Sequence, residues 1–519
     1  MLQGLVKDTL KLYSNQKSNV KKLVARRRCI LSDRCGAGKT ISVLFAFSYL
    51  KSKGVMKNLL VLTPLSAYEK EVWKKDVVKF TNLKIVDLET LLKMTTCNKD
   101  RVLKALDNFD VIYCKHTHIK QENYNLLLNL IVEQHTTLLC VDEVHACRNP
   151  KSTLTQLFKG LSSKSSTFWG ITATTISRDL ENLYTIVNLV SPWYLGPWTL
   201  FRDTYCTTMN KVIGYNREQK KRITRQVVSG IKNPDLLRIK LDPIMINGES
   251  FTDIEFHEVD YNMSTEESVT YTRIANGISV DSNRDPEEWF KYIMENDVIS
   301  PKNIGDVSRY SSRFLYLQHS ADGIVAKDGS FTRLHSNKVA KLLEVLDTIV
   351  EKKQSVLIYC DYLASLNSIK LQIEERYNNV AIYESTGDHK LKEGILTEAS
   401  VKKKSHIVLC TRASAESASY YFINNVIFFH VPTVPSTFIQ FVGRIVRKNT
   451  LFPGDLHCFI MQSHNIDLYK LMVVSSKTYL MEQTSGSKEA NVPEKYKTLM
   501  STEEDKQYMK KLLLWKNTI

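Results

Sequence analysis

No run of 18 apolar residues occurs in this 519-residue sequence, so no segment has the make-up of a membrane-spanning helix. The opening MLQGLVKDTLKLYSNQ has no apolar h-region of the kind a secretory signal needs, and the expectation is an intracellular protein. None of the ten cysteines, at 29, 35, 97, 114, 140, 147, 206, 360, 410 and 458, forms a C-x-x-C pair. That spacing argues against a zinc site built on cysteine. Several cysteines instead sit in apolar runs such as TLLCVDE and HIVLCTR, as small core residues of a reducing compartment. There is no fixed short repeat and no long low-complexity segment. Acids are scarce beside bases, 55 Asp and Glu against 71 Lys and Arg, giving a net charge of +16. Such an excess suits a polyanionic partner, although lysine also serves solubility alone.

What is present is ordinary globular material, 43% apolar and 24% charged, enough for more than one core. Short apolar runs bounded by polar or turn residues stand at 29–31, 58–64, 110–114, 137–143 and 168–174, with helix-like stretches between them. That alternation predicts an α/β domain with a parallel sheet over residues 1–200. The alternation resumes after about 336. An amphipathic helix, NKVAKLLEVLDTIVEK, precedes buried strands at 355–361, 380–385, 406–412, 425–432 and 456–462, so a second α/β domain is expected over 336–465. Between them, 201–335 reads as a mixed, largely helical and basic insertion. Its Lys211–Lys240 stretch carries nine Lys and Arg against two acids, and Ser264 with Glu267 has the spacing of a capping box. Residues 466–519 read as a polar, lysine-rich helical extension.

Three short stretches carry chemistry. In CILSDRCGAGKT a strand runs into a glycine-containing turn and then a helix, the context in which backbone N–H groups converge on phosphate. Gly36 and Gly38 allow close approach, Cys35 and Ala37 complete the loop, Lys39 is placed for the β- and γ-phosphates, and Thr40 offers a hydroxyl to Mg²⁺. The first glycine of the usual phosphate loop is absent, and Asp33 stands there. In LLCVDEVH a buried strand ends in Asp142 and Glu143. One carboxylate can hold the Mg²⁺ shell and the other can orient or deprotonate water. Adjacent strand residues point to opposite faces, so both acids reach one site only where the strand bends. An ordinary exposed acid pair after a strand is the plainer alternative. In FIQFVGRIVRKN, Arg444 and Arg447 share one helical face beside Gly443, as fixed-fork donors suited to a γ-phosphate or as a plain basic helix.

Taken in order, these stretches resemble the motifs of superfamily-2 helicases and translocases, across about residues 10 to 465. SDRCGAGKT resembles motif I, where aspartate is common at the first loop position. LLVLTPLSAYEKEVWKKDVVKF resembles motif Ia, VDEVH is of the DExH kind, and GITATTISRDLENLYTIVNLVSP resembles motif III. SVLIYCDYLASLNSIKLQIEE, IVLCTRASAESASYYFINNVIFFHVP and QFVGRIVR resemble motifs IV, V and VI. The motif III tail, DEVHACRNPKS and the long stretch between motifs III and IV are closest to the Swi/Snf-like group, and the compact size suits a viral or phage member.

The resemblance implies two tandem RecA-like domains with ATP and Mg²⁺ between them, and Arg444 and Arg447 reaching the γ-phosphate. Gln16 would read adenine, although a lone glutamine in a polar helix is equally a surface residue. Thr172 and Thr174, with His145 and Gln440, would couple nucleotide state to domain closure; read from the residues alone, TAT is equally a strand-to-helix cap. Thr63, Pro64, Thr411 and Arg412 would meet nucleic acid, and Lys220, Lys221 and Arg222 of the basic run would touch the phosphate backbone, unless that run is a solvated loop. The expected activity is ATP-dependent translocation on duplex or branched DNA. RNA, or a DNA-binding transcription or packaging factor with weak ATPase, are the alternatives. No protein partner is implied.

Overall fold

A computed structural model describes residues 4–7, 11–33, 36–96, 98–172, 180–216, 221–247, 254–265, 267–268, 271, 317–318, 320–322, 325–326, 331–332, 336–386, 398–412, 420–446, 450–463 and 465–485. The chain divides into two compact units. The first is built chiefly from residues up to 211 together with 225–251, and the second chiefly from 252–479. Helix α1 is Ser14–Ala25 and α2 is Lys39–Ser52. The strands are β1 Arg28–Ser32, β2 Asn58–Thr63, β3 Ile85–Asp87, β4 Val111–Lys115, β5 Thr137–Val141 and β6 Thr167–Thr172, then β7 Cys206–Asn216, β8 Lys221–Ile231 and β9 Met245–Asn247. In the second unit they are β10 Glu255–Asp260, β11 Val325–Ala326, β12 Phe331–Thr332, β13 Val356–Tyr359, β14 Ala381–Ser385, β15 His406–Cys410, β16 Asn425–Phe428 and β17 His457–Gln462.

The first unit holds a seven-stranded sheet in the order β3-β4-β2-β5-β6-β1-β9, every pair parallel. Strands β2, β5 and β6 are buried along their whole length, as expected of a sheet covered on both faces. One face packs Leu59, Val61, Leu138, Cys140 and Trp169 against Phe47 of α2 and Trp73 of the helix Val72–Phe80. The second unit holds a six-stranded sheet, β10-β17-β16-β13-β15-β14, again all parallel. Its core joins Val356, Ile358, Ile407 and Ile427 to Leu342 and Leu346 of the helix Asn337–Glu351. Two parallel α/β units bear out the expected pair of RecA-like folds.

The segment 201–335 differs from its expected, largely helical character over the residues described. β7 and β8 form a two-stranded sheet, β9 joins the first sheet beside β1, and β10 opens the second. The cause is visible in RITRQVVSGI, where five of ten residues are β-branched and so favour a strand. The helix Pro234–Leu241 is the described helix that follows β8. The capping box is present: Ser264 N donates to Glu267 at 2.5 Å and Glu267 N to Ser264 Oγ at 3.2 Å. The helix Ile466–Ser485 begins the expected helical extension, and the rest of that extension lies outside the described residues. Eight cysteines are described, and all are buried. Burial pushes the Cys29 thiol up to about 12. Among the described residues no helix is long and apolar enough to cross a membrane.

Candidate functional site

Four neighbouring strands of the first sheet, β2, β5, β6 and β1, deliver their C-terminal ends to one place, where ligands of open parallel sheets gather. β1 ends in Ser32 and Asp33, β2 in Thr63, β5 in Asp142 and Glu143, and β6 in Thr172. The loop after β1 turns through Gly36 and Gly38, whose φ angles of 80° and 79° lie in the left-handed region that glycine adopts without cost. Gly38 has a second reason to be glycine: a Cβ there would stand 2.1 Å from Gln16 Nε2. Helix α2 starts at Lys39, so Thr40 sits in its first turn and Ala37 is buried beneath the loop.

Helix α1 holds this loop from behind. Asn19 Nδ2 donates to Asp33 Oδ2 at 2.8 Å, and Asn15 Nδ2 reaches the same oxygen and the Ala37 carbonyl at 3.4 Å each. The Asp33 carboxylate therefore substitutes for glycine as an anchored element of the loop, while its carbonyl accepts from Lys39 Nζ at 2.7 Å. Gln16 is buried. Its amide donates to the Ala37 carbonyl at 3.3 Å and its oxygen accepts from Tyr13 N at 3.0 Å. The structure thus places the expected adenine reader against the phosphate loop. Asn15 and Asn19 are functional supports that sequence reading missed. Their signal was a spacing of four on one face of a polar helix just before the loop.

Asp142 and Glu143 meet at one site because the chain bends there. Glu143 adopts φ 48° and ψ 52°, a left-handed conformation that is costly for a side-chain-bearing residue and gathers at functional sites. Asp142 accepts from Trp73 Nε1 at 3.0 Å, Thr63 Oγ1 at 3.1 Å and the Glu143 N–H at 3.1 Å. Burial, and next the Glu143 carboxylate, push the Asp142 carboxyl up to about 6, against the pull of Trp73, Lys39 and Thr63. An acid held up in this way is short of positive charge. Its oxygen donor set suits Mg²⁺, which takes one or two carboxylates together with substrate oxygens and water. Thr63, expected at the nucleic acid, is corrected here: it is fully buried and its hydroxyl is spent on Asp142. Trp73 was not foreseen, although a buried indole N–H always needs an acceptor.

His145 connects the acid to the next strand. Its Nδ1 lies 3.0 Å from Glu143 Oε2 and 3.0 Å from Thr172 Oγ1. Glu143, His145 and Thr172 are thereby brought together. Behind them His116 Nε2 meets the Leu62 carbonyl at 3.2 Å, and burial pushes its imidazole down to about 4.

In the second unit, Arg444 and Gln440 lie on the helix Pro435–Ile445, and Arg444 accepts at its carbonyl from Tyr420 N at 3.0 Å. Beyond β15, Thr411 is buried with its N–H on the Ser385 carbonyl at 3.3 Å, whereas Arg412 is exposed. Pro64 caps the short helix Leu65–Glu69. Lys221 and Arg222 lie on β8, with side chains outside the described residues. Cys35, Thr174, Lys220 and Arg447 also lie outside them.

Comparison with known proteins adds to this geometry. Residues 9–318 match the family profile described as SNF2-related domain, and 337–449 match the helicase conserved C-terminal domain. An ATP-dependent helicase of Bacillus subtilis, YqhH, itself described as uncharacterized, is 21% identical over 88% of this chain and 76% of its own length. A DNA repair and recombination protein, RAD54-like, of Drosophila erecta is 24% identical over 34% of this chain, which spans only 23% of that protein. The Sulfolobus solfataricus SWI2/SNF2 ATPase core solved with double-stranded DNA is 18% identical, covers 92% of this chain and 94% of its own, and has a TM-score of 0.39.

Proposed function

The chain belongs to the SNF2-related family, and we propose that it is a DNA-dependent ATPase that couples ATP hydrolysis to movement on duplex or branched DNA. The observation that carries this reading is the contact chain Glu143–His145–Thr172, with 3.0 Å at each link. It ties the acid placed for water activation to the end of the neighbouring strand, so a change at the nucleotide is felt beyond it. The net charge of +16 supports a polyanionic partner, and the DNA repair role in the name of the fly relative supports DNA.

In this reading the N–H groups of the 36–38 turn and of the α2 N-terminus bind the phosphates of ATP, aided by the helix dipole. Lys39 leaves the Asp33 carbonyl for the β- and γ-phosphate oxygens. Thr40 and Asp142 would hold Mg²⁺, which supplies charge neutralisation on the phosphate oxygens. Glu143 orients the attacking water and accepts its proton. Arg444, and by family pattern Arg447, stabilise charge on the transferred phosphoryl group, an effect worth roughly 10³–10⁵ in rate. His145 exchanges its one Nδ1 position between Glu143 and Thr172 as the nucleotide changes. Arg412, exposed past β15, meets the DNA backbone, and the basic stretch around Lys221 and Arg222 adds sequence-independent, salt-sensitive affinity.

The test is phosphate release by the purified chain with no polynucleotide, single strands, duplexes, forks and matched RNA. Stimulation by duplex or forked DNA, abolished by Lys39→Ala, is the expected result. Equal rates with and without every polynucleotide would sink the motor reading, and preference for RNA would redirect it.

A further inference from the structure

On the edge of the second sheet, outside every motif above, three side chains of metal-ligating type share one face. β10 and β17 run parallel with Glu255 opposite His457 and His257 opposite Phe459. Residues two apart on a strand point the same way, so Glu255 and His257 face the same side as His457 and Phe459. His257 Nε2 lies 3.0 Å from His457 Nδ1. Glu255 Oε2 lies 3.4 Å from His457 Nδ1 and 3.8 Å from His257 Nε2. All three donor atoms fall within 4.8 Å of one another. Tetrahedral ligands held about 2.0–2.1 Å from zinc stand roughly 3.3 Å apart, so this triangle has the dimensions of one face of such a site.

The surroundings complete the set. His457 Nε2 lies 2.9 Å from Asp455 Oδ1, and donating there leaves the Nδ1 lone pair directed at the triangle. A carboxylate behind a histidine is the usual outer support of a metal-bound imidazole. His257 stacks on Phe459 at 4.7 Å and 21°, which fixes its ring plane. Glu255 is 67% exposed, leaving an entry path for an ion. The cluster sits at the N-terminal ends of β10 and β17, at the opposite end of the strands from Thr411 and Arg412.

We propose that Glu255, His257 and His457, oriented by Asp455, form a binding site for a divalent transition metal of the zinc class, with a fourth position open to water. Imidazole and carboxylate together suit zinc over magnesium or calcium. The ion would pin the edge strand β10 to β17.

The experiment is equilibrium dialysis of chelator-stripped full-length protein against Zn²⁺ without nucleotide, with Co²⁺ as an optical probe. Wild type should bind one more Zn²⁺ than His257→Asn/His457→Asn, and should show a tetrahedral Co²⁺ absorption that the double variant lacks. Asp455→Asn should keep the stoichiometry and lose roughly 10–100-fold in affinity. Equal Zn²⁺ binding by wild type and double variant, or a Co²⁺ spectrum indifferent to both histidines, overturns the proposal. If the double variant fails to fold in chelator, Glu255→Gln on the exposed rim decides by the same two readouts.

Discussion

The two units bury charge in opposite ways. In the first, Asp142 and Glu143 lie side by side, and burial with that neighbour pushes Asp142 up to about 6. In the second, Lys338 is completely buried between Asp322 at 2.9 Å and Asp467 at 2.7 Å. Donors close around the two acids: His430 and Ser365 reach Asp322 at 2.7 and 2.6 Å, and Tyr261 and Gln318 reach Asp467 at 2.6 and 3.0 Å. His430 accepts the Asp361 N–H at Nδ1, which leaves its proton on Nε2 for Asp322. Burial alone would raise Asp322, yet His430 and Lys338 hold it well below the usual carboxylate range, and the same acids raise Lys338. A cluster that satisfies itself is a structural lock between the 317–322 stretch, the helix Asn337–Glu351 and the start of the helix Ile466–Ser485. A cluster left short of positive charge is what the proposed Mg²⁺ site requires. The direction of the shift, more than burial itself, separates the two.

The contrast breaks first at activity. Glu143→Gln should lower DNA-stimulated ATP hydrolysis by about 10²–10⁴-fold with nucleotide binding retained, as read by steady-state phosphate release and by fluorescent-nucleotide titration. Unfolding free energy should hardly move. Asp142→Asn should behave alike, since relief of the unfavourable charge offsets the hydrogen bond lost from Trp73 or Thr63. A large drop in stability for either would make the pair structural after all.

The second unit should respond in the reverse sense. Lys338→Met strands two buried carboxylates and should cost about 3–5 kcal/mol in urea denaturation. Adding Asp322→Asn and Asp467→Asn should restore part of that loss. A Lys338→Met protein of wild-type stability would refute the lock.

The pH response sharpens the comparison further. His116 in the first unit has its folded value pushed down to about 4 by burial, against an unfolded value near 6.5. For a group depressed on folding, stability is fully present above the unfolded value and is lost as pH falls through the folded one. Between pH 6.5 and 4 it should therefore account for about 2–4 kcal/mol of acid destabilisation. His116→Gln keeps a donor for the Leu62 carbonyl and removes the titration, so its unfolding free energy should be flatter over that window. Parallel curves for variant and wild type would show that His116 is not held neutral by the fold.

Most of the first site was legible because its signals are local. The turn glycines, Lys39 and the acid pair lie within short windows whose strand–turn–helix context is set by apolar runs, and ten expected strands fall on observed ones. What escaped depends on distant partners. Lys338 stands at the start of an amphipathic helix with nothing adjacent in sequence to mark it, since Asp467 lies far along the chain. Thr63 read as a surface contact because only the sheet register sets it beside Asp142. Cysteine spacing speaks to thiolate sites alone, so it is silent on His257 and His457, which are 200 residues apart.

The smallest effect probes how tightly α1 grips the phosphate loop. Gly38→Ala meets two costs: a left-handed φ of 79°, worth about 1–2 kcal/mol for an L-residue, and displacement of Gln16 Nε2, which a new Cβ would approach to 2.1 Å. Gln16 has no cheap retreat, because it is buried and bonded to Ala37 and Tyr13. Gln16→Ala alone gives up those bonds, about 1 kcal/mol each. In the double variant the collision is gone while the backbone cost stays. The two changes should therefore fall short of additivity by roughly 0.5–1 kcal/mol in a denaturation cycle. Strict additivity would mean that Gln16 does not rest on the loop, and that its amide is free to serve the nucleotide instead.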